Sequence, residues 1–175
     1  MKTLVVIAHP DLKESKVNSA WIHALEKEAA DVHIHHLYAA STNGNFDILK
    51  EQKLIEQFDK IVLQFPIYWF NCPPLVKTWL DDVFTYGWAY GSVNKMKNRD
   101  VSLLVTAGIK ADGYTHEGKS HYTLEEILVP FEITFNYMDA NYTGFHAFYG
   151  AEHDPTDEDI QASIPEMLAF VKKIS

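Results

Sequence analysis

The residues best suited to chemistry lie where apolar runs end. Gln64-Phe65-Pro66-Ile67-Tyr68-Trp69-Phe70-Asn71-Cys72-Pro73-Pro74 follows Ile61-Val62-Leu63, which reads as part of a buried strand. Exposed aromatics at the carboxyl end of such a strand are costly unless something flat packs on them. That end is also where open α/β sheets take ligands. The pattern points to a flat conjugated ring, with a flavin as the leading candidate. Backbone N–H groups in the Pro66–Phe70 loop would meet its polar edge, and Trp69 and Phe70 would wall it. Core packing is the competing reading. Pro66, Pro73 and Pro74 count against it, because they hold the segment as a loop and open a helix at Pro73-Pro74.

Two further segments could serve the same ligand. His9-Pro10-Asp11-Leu12-Lys13-Glu14-Ser15-Lys16-Val17-Asn18 joins a first strand to a first helix. A helix amino terminus presents free N–H groups and a positive dipole end, which suits an anion. Ser15 and Asn18 add side-chain hydrogen bonds, Lys16 adds charge, and His9 can donate to a phosphate oxygen. A plainly capped helix is an equally good account of this segment alone. Thr106-Ala107-Gly108-Ile109 ends a later strand, and a glycine there lets backbone approach a ligand. Beyond it, Tyr114 and a nearby histidine, His116 or His121, could donate to negative charge that develops on a reduced cofactor. Taken alone, that loop reads as ordinary surface.

Phe84, Tyr86, Trp88 and Tyr90 are denser than one small core requires, which marks a pocket or a subunit interface. Asp81 and Asp82 read as a solvated helix face. The nine histidines form no helix pair with acidic partners in a metal-ligand pattern, so no metal site is expected. His33, His35 and His36 sit in a strand, where at most two can share a face. Cys72 reads as packing.

Five apolar runs must position these residues: Thr3–Ala8, Val32–Leu37, Lys60–Phe65, Val101–Thr106 and Thr143–Tyr149. Helical periodicity falls between them. Val17, Ala20, Trp21, Ala24 and Leu25 form one stripe, with Ser15 or Asn18 as its cap. Asp47 caps the next, which turns Ile48, Ile55 and Phe58 to the core. Leu75, Trp79, Leu80 and Val83 form a third. Leu124–Met138 forms a fourth, which Pro130 should kink or divide. Ile160, Ile164, Met167, Leu168 and Val171 form the last, with Pro165 raising the same expectation. Strand and helix alternate along the whole chain, which argues for a doubly wound parallel sheet. Five strands favour the flavodoxin-like order 2-1-3-4-5, in a single domain over residues 1–175. No G-x-G-x-x-G follows the first strand, which counts against a classical dinucleotide fold.

The chain has 175 residues, enough for one sizeable core. Its net charge of −9, with scattered Lys and Arg, argues against a nucleic-acid surface. No apolar stretch is long enough to cross a bilayer, so no direct membrane insertion is expected. Met1–Pro10 runs straight into the His9 motif and reads as a strand, not a leader. One cysteine, Cys72, allows no internal disulfide and suits a reducing, cytoplasmic setting.

The His9–Asn18 loop, Phe65–Phe70, the Leu80–Gly91 segment and the Val105–Gly108 turn, in that order, resemble the NAD(P)H:quinone oxidoreductase family. This is the DT-diaphorase-like, flavodoxin-2 group, and its short bacterial members are the nearest likeness. They include general-stress oxidoreductases and ancillary subunits of glutathione-gated potassium-efflux systems. The resemblance covers nearly the whole chain. It implies a flavodoxin-like fold, a tightly bound flavin and a homodimer with sites at the interface. His9, Ser15, Lys16, Val17 and Asn18 would then hold the flavin phosphate. Pro66, Ile67, Tyr68, Trp69 and Phe70 would contact the ring, and Thr106, Ala107, Gly108 and Ile109 would border its other edge. Trp69, Phe70, Tyr90 and Tyr114 would line the substrate place, with Tyr90 reaching the partner's pocket. Tyr114 matches the family tyrosine that supports charge on the flavin. Family members often carry Thr-Thr-Gly-Gly where this chain has Thr106-Ala107-Gly108-Ile109. The animal catalytic histidine falls on Ser120, beside His121, with His116 nearer the tyrosine.

The resemblance implies a two-electron reductase. NADH or NADPH would give hydride to the flavin, and a quinone or similar flat acceptor would then take it in the same pocket, a ping-pong cycle. A short chain with no evident adenine-binding extension favours FMN and leaves FAD possible. The competing expectation is a regulatory partner of a membrane potassium-efflux protein whose reductase activity is secondary.

Overall fold

A computed structural model describes residues 2–28 and 30–173. Five parallel strands, β1 (Thr3–Ile7), β2 (Val32–His36), β3 (Lys60–Pro66), β4 (Asp100–Ala107) and β5 (Asn141–Tyr149), form one sheet in the order β2-β1-β3-β4-β5. The helices are α1 (Lys16–Glu28), α2 (Leu37–Ala40), α3 (Ile48–Ile55), α4 (Pro74–Val83), α5 (Leu124–Tyr137) and α6 (Asp157–Lys173).

A parallel sheet needs helices on both faces, and its inner strands are therefore apolar on both sides. Leu4, Val6, Leu63 and Phe65 pack into one core with α3, α4 and α5. Val5, Ile7, Val62 and Leu104 pack into a second core with α1 and α6. The register pairs Ile7 with Gln64, Pro66 with Thr106, and Ala107 with Tyr149. Carboxyl ends of neighbouring strands are thereby brought to one edge. That edge carries the loops expected to do chemistry.

Local signals account for most boundaries. The Asp47 carboxylate accepts from the Lys50 N–H at 3.1 Å and starts α3. Thr123 and Glu126 form a reciprocal capping box at the head of α5. Pro74 opens α4 as expected of a first-turn proline.

Three local expectations are corrected and one turn is added. The second strand stops at His36, and Leu37 begins α2 instead. A single 3₁₀ turn, Leu12–Glu14, precedes α1. Ile48 is exposed while Ile55 is fully buried, because Ile48 opens the helix on its outer side. Pro130 and Pro165 break neither helix. Both prolines are exposed, so the carbonyl each leaves unpaired one turn earlier is placed towards solvent.

The α3 face carries a buried carboxylate that periodicity does not reveal. Glu51 is 2% exposed and accepts from Trp79 Nε1 at 2.9 Å. His35 Nε2 lies 2.9 Å from the same carboxylate. His33, on the same strand face, stacks on Phe58. Two of the three strand histidines are thus occupied structurally.

Candidate functional site

The site is built where β1, β3 and β4 end. The Ala8 N–H donates to the Gln64 carbonyl, and the Ile67 N–H donates to the Thr106 carbonyl, each at 2.8 Å. The chain after β5 is clipped on from the other side. Ala151 N–H donates to the Ala107 carbonyl, and Gly150 N–H to the Ile109 carbonyl, each at 2.9 Å. Four loops therefore share one rigid edge.

Two cavities open there. A lower one, of about 380 Å³, is lined by His9, Ser15, Lys16, Val17, Pro66 and Thr106 among others. An upper one, of about 710 Å³, is lined by Trp69, Phe70, Ile109, Tyr114, Lys119 and Ser120 among others. Ile67, Tyr68, Gly108 and Glu152 line both, which makes the two cavities contiguous.

The lower cavity faces the head of α1. The first intrahelical acceptor there is the Ser15 carbonyl, which takes the Ser19 N–H. The N–H groups of Lys16, Val17 and Asn18 precede it and point out of the helix, at the positive end of its dipole. The Asp11 N–H donates to His9 Nδ1 at 3.1 Å. Burial lowers the His9 pKa against a smaller opposing effect of Asp11, so the ring is neutral at pH 7. A neutral ring whose Nδ1 accepts must carry its proton on Nε2. His9 is thereby fixed as an Nε2–H donor.

Asn18 is placed behind the cavity instead of in it. It is 1% exposed, and its amide donates to Ser15 Oγ at 3.0 Å and Thr106 Oγ1 at 3.1 Å. Its Oδ1 accepts from Gln64 Nε2 at 3.0 Å. This network fixes the hydroxyls of Ser15 and Thr106, and Gln64 was not singled out from sequence. Its own Oε1 is buried without a hydrogen-bond partner.

The upper cavity begins at a strained turn. Tyr68 and Asn71 exchange backbone hydrogen bonds at 2.8 and 3.0 Å across Trp69 and Phe70. Those two residues have φ of 48° and 61°, the left-handed region that large side chains rarely enter. Trp69 is 92% exposed, so no burial offsets the strain. Strain of this kind collects at ligand sites. Tyr114 stands opposite, 7% exposed and tilted against Tyr149 with ring centroids 5.8 Å apart. Burial raises its pKa, and Tyr149 and the Glu152 charge push the same way. Its hydroxyl therefore keeps its proton near neutral pH and is a donor.

Between the cavities Gly108 carries no side chain, and the Glu152 carboxylate lies over its Cα. A Cβ there would fall 2.6 Å from Glu152 Cδ. Ala107 is fully buried and offers its carbonyl to Ala151, not to the cavity.

Not all expected residues converge. The rings of His116 and His121 line neither cavity, and each Nδ1 lies 3.3 Å from the other residue's carbonyl oxygen. Ser120 lines the upper cavity in their stead. Tyr90 lies in a third space, an apolar groove of about 580 Å³ between α4 and α5. Cys72 lines that groove too, and burial pushes its thiol up to about 11, which leaves it protonated and inert. Glu152, Lys119 and Gln64 are among the site residues that sequence reasoning missed, as are Ala151, Asp154 and Pro155 of the lower cavity. No motif surrounds Glu152, and its only signal was its position just past a strand's carboxyl end.

The strand order and the joined cavities at its carboxyl edge define a flavodoxin-like α/β protein. A family profile described as flavodoxin-like fold, Flavodoxin_2, matches residues 1–171, and the chain belongs to that family. It is 36% identical over 173 residues to an uncharacterised NAD(P)H oxidoreductase of Bacillus subtilis, YrkL, covering 98% of both chains. General stress protein 14 of Treponema denticola, solved in complex with FMN, superposes with a TM-score of 0.93 at 40% identity and covers all of both chains. An NADPH-quinone reductase from P. pentosaceus superposes with a TM-score of 0.87 at 26% identity, covering 97% of both.

Proposed function

We propose that this chain is an FMN-dependent NAD(P)H oxidoreductase that reduces quinones or similar flat acceptors by two electrons. The observation that carries the reading is the pair of joined cavities. One end offers free helix N–H groups, and the other offers an aromatic wall that faces a protonated tyrosine. The donor set fits FMN: an anion end of limited size, a glycine between the two cavities and a flat aromatic end. The FMN-bound relative supports the same choice.

In this reading the α1 N–H groups, Ser15, Lys16 and His9 Nε2–H hold the phosphate. The backbone N–H groups of Trp69 and Phe70 would meet the polar edge of the ring, since those of Ile67 and Tyr68 already donate to the Thr106 and Asn71 carbonyls, and the Trp69 and Phe70 side chains would cover it. Bound FMN supplies a hydride carrier between nicotinamide and acceptor. Tyr114 keeps its proton and stabilises negative charge by donating a hydrogen bond. Trp69 and Phe70 exclude water and orient a flat substrate, so donor and acceptor use one place in turn and kinetics are ping-pong. The reading includes a homodimer joined across the α4–α5 groove, which brings Tyr90 to the partner's substrate place.

The test is the visible spectrum of the purified protein, then addition of NADH or NADPH without oxygen. A flavin spectrum that bleaches and returns on adding a quinone is expected, with parallel double-reciprocal lines. A protein that stays colourless in excess FMN and FAD would remove the reading.

A further inference from the structure

Glu152 is an unexplained charge at the centre of the site. It lines both cavities, and its carboxylate hangs over the bare Cα of Gly108. Its backbone is fixed, since its N–H donates to the Gly108 carbonyl at 3.2 Å. No ion pair joins it to a cation among the described residues. An acidic side chain held this way does nothing for the phosphate end, where it opposes an anion.

We propose that Glu152 is a charge-setting residue that weakens the binding of reduced FMN relative to oxidised FMN and so makes the bound cofactor a stronger reductant. The inference rests on the FMN reading above. Two-electron reduction adds negative charge to the ring, while Tyr114 and the backbone N–H groups favour that charge. A carboxylate at the same place, on a backbone anchored to the Gly108 carbonyl, opposes it. A bound ring would cover the carboxylate and exclude water, and a lower local dielectric strengthens the repulsion. Tyr114 and Glu152 then act as opposed settings of one equilibrium. Burial is the main cause that raises the pKa of Tyr114 and of Tyr68, and the Glu152 charge adds to both, so its field reaches both walls of the upper cavity.

The experiment compares wild type, Glu152→Gln and Glu152→Asp as purified holoproteins. Two quantities are read: the Kd for oxidised FMN by fluorescence quenching, and the midpoint potential of the bound FMN by dye equilibration. In Glu152→Gln, reduced FMN should gain about tenfold in affinity relative to oxidised FMN, which raises the two-electron potential by about 30 mV. Glu152→Asp keeps the charge and should stay nearer to wild type. A Glu152→Gln potential equal to wild type overturns the proposal and leaves the FMN reading intact. Equal shifts in both variants would assign the effect to shape and overturn it as well. A wild type that binds no FMN removes both readings. Glu152 is exposed, so neither variant is expected to unfold the chain.

Discussion

The fold reinforces the ordinary neutral-pH protonation states of two side chains. Tyr114 is buried and keeps its proton, and it stands in the upper cavity. Tyr114→Phe keeps the ring and removes only the donor. The expected outcome is a loss of about a hundredfold or more in kcat/KM with the Kd for FMN nearly unchanged, since losing one donor to developing charge costs on the order of 10²–10³. Steady-state kinetics and FMN titration of the same preparation check it. Glu51 is the second. Burial opposes its charge, but the His35 hydrogen bond and charge, with the Trp79 hydrogen bond, hold its carboxyl below the ordinary range. A depressed folded pKa contributes stability above the unfolded carboxylate value, about 4.3. That stability is lost as pH falls through the folded value. Glu51→Ala leaves His35 and Trp79 Nε1 without their shared acceptor and should cost about 3 kcal/mol at pH 7. Urea melts of wild type and variant, taken from pH 7 to well below pH 4, should converge as pH falls through the depressed folded value, because the wild type loses the contribution that the variant never had.

At the scale of elements, the turn Tyr68–Asn71 sets strain against binding. Trp69 in the left-handed region costs about 1 kcal/mol or more, and its 92% exposure returns nothing. Trp69→Asn should therefore raise stability by about 0.5–1 kcal/mol, because asparagine tolerates that conformation. The same change should weaken FMN binding, since it strips one wall of the cavity. Thermal melts of the apoprotein and FMN titration check the two signs separately. The segment was legible in sequence through its aromatics and flanking prolines, but its conformation was not, because no glycine or asparagine sits at the two turn positions. The inner strands β1, β3 and β4 were legible nearly to the residue, because burial on both faces makes each a largely apolar run, whereas the edge strands β2 and β5 are only partly buried and mix polar residues with apolar ones. Pro130 and Pro165 misled because one-dimensional pattern does not say which face a proline takes. Glu51 and Glu152 were illegible for a shared reason. A charged residue in an amphipathic helix or after a strand reads as solvated, and only the fold shows a buried partner or a cavity beside it.

At the scale of the whole molecule, an apolar surface along the α4–α5 groove lies open among the described residues. Ile133 is 62% exposed and Tyr137 72%, both on α5, and both line the groove that also holds Tyr90. Tyr137 and Tyr90 pack at 5.5 Å between centroids, and Tyr86 packs on Tyr90 at 5.8 Å while itself 71% exposed. The ladder itself is aromatic, and the charged residues that line the groove, Lys77 and Asp81, pair with each other on α4. A stable dimer needs roughly 1,200 Å² or more of total buried surface, and a groove with its flanking aromatics is the part of this molecule shaped to supply it. Ile133→Glu tests the arrangement without touching the fold, because the side chain already faces solvent in the monomer. Light scattering should give twice the chain mass for wild type and the single chain mass for Ile133→Glu. FMN binding should survive in the variant, since both cavities are built within one chain. The KM for the acceptor should rise more than the Kd for FMN, because Tyr90 would no longer reach the partner's substrate place. A variant that remains dimeric would move the interface elsewhere and remove Tyr90 from the site.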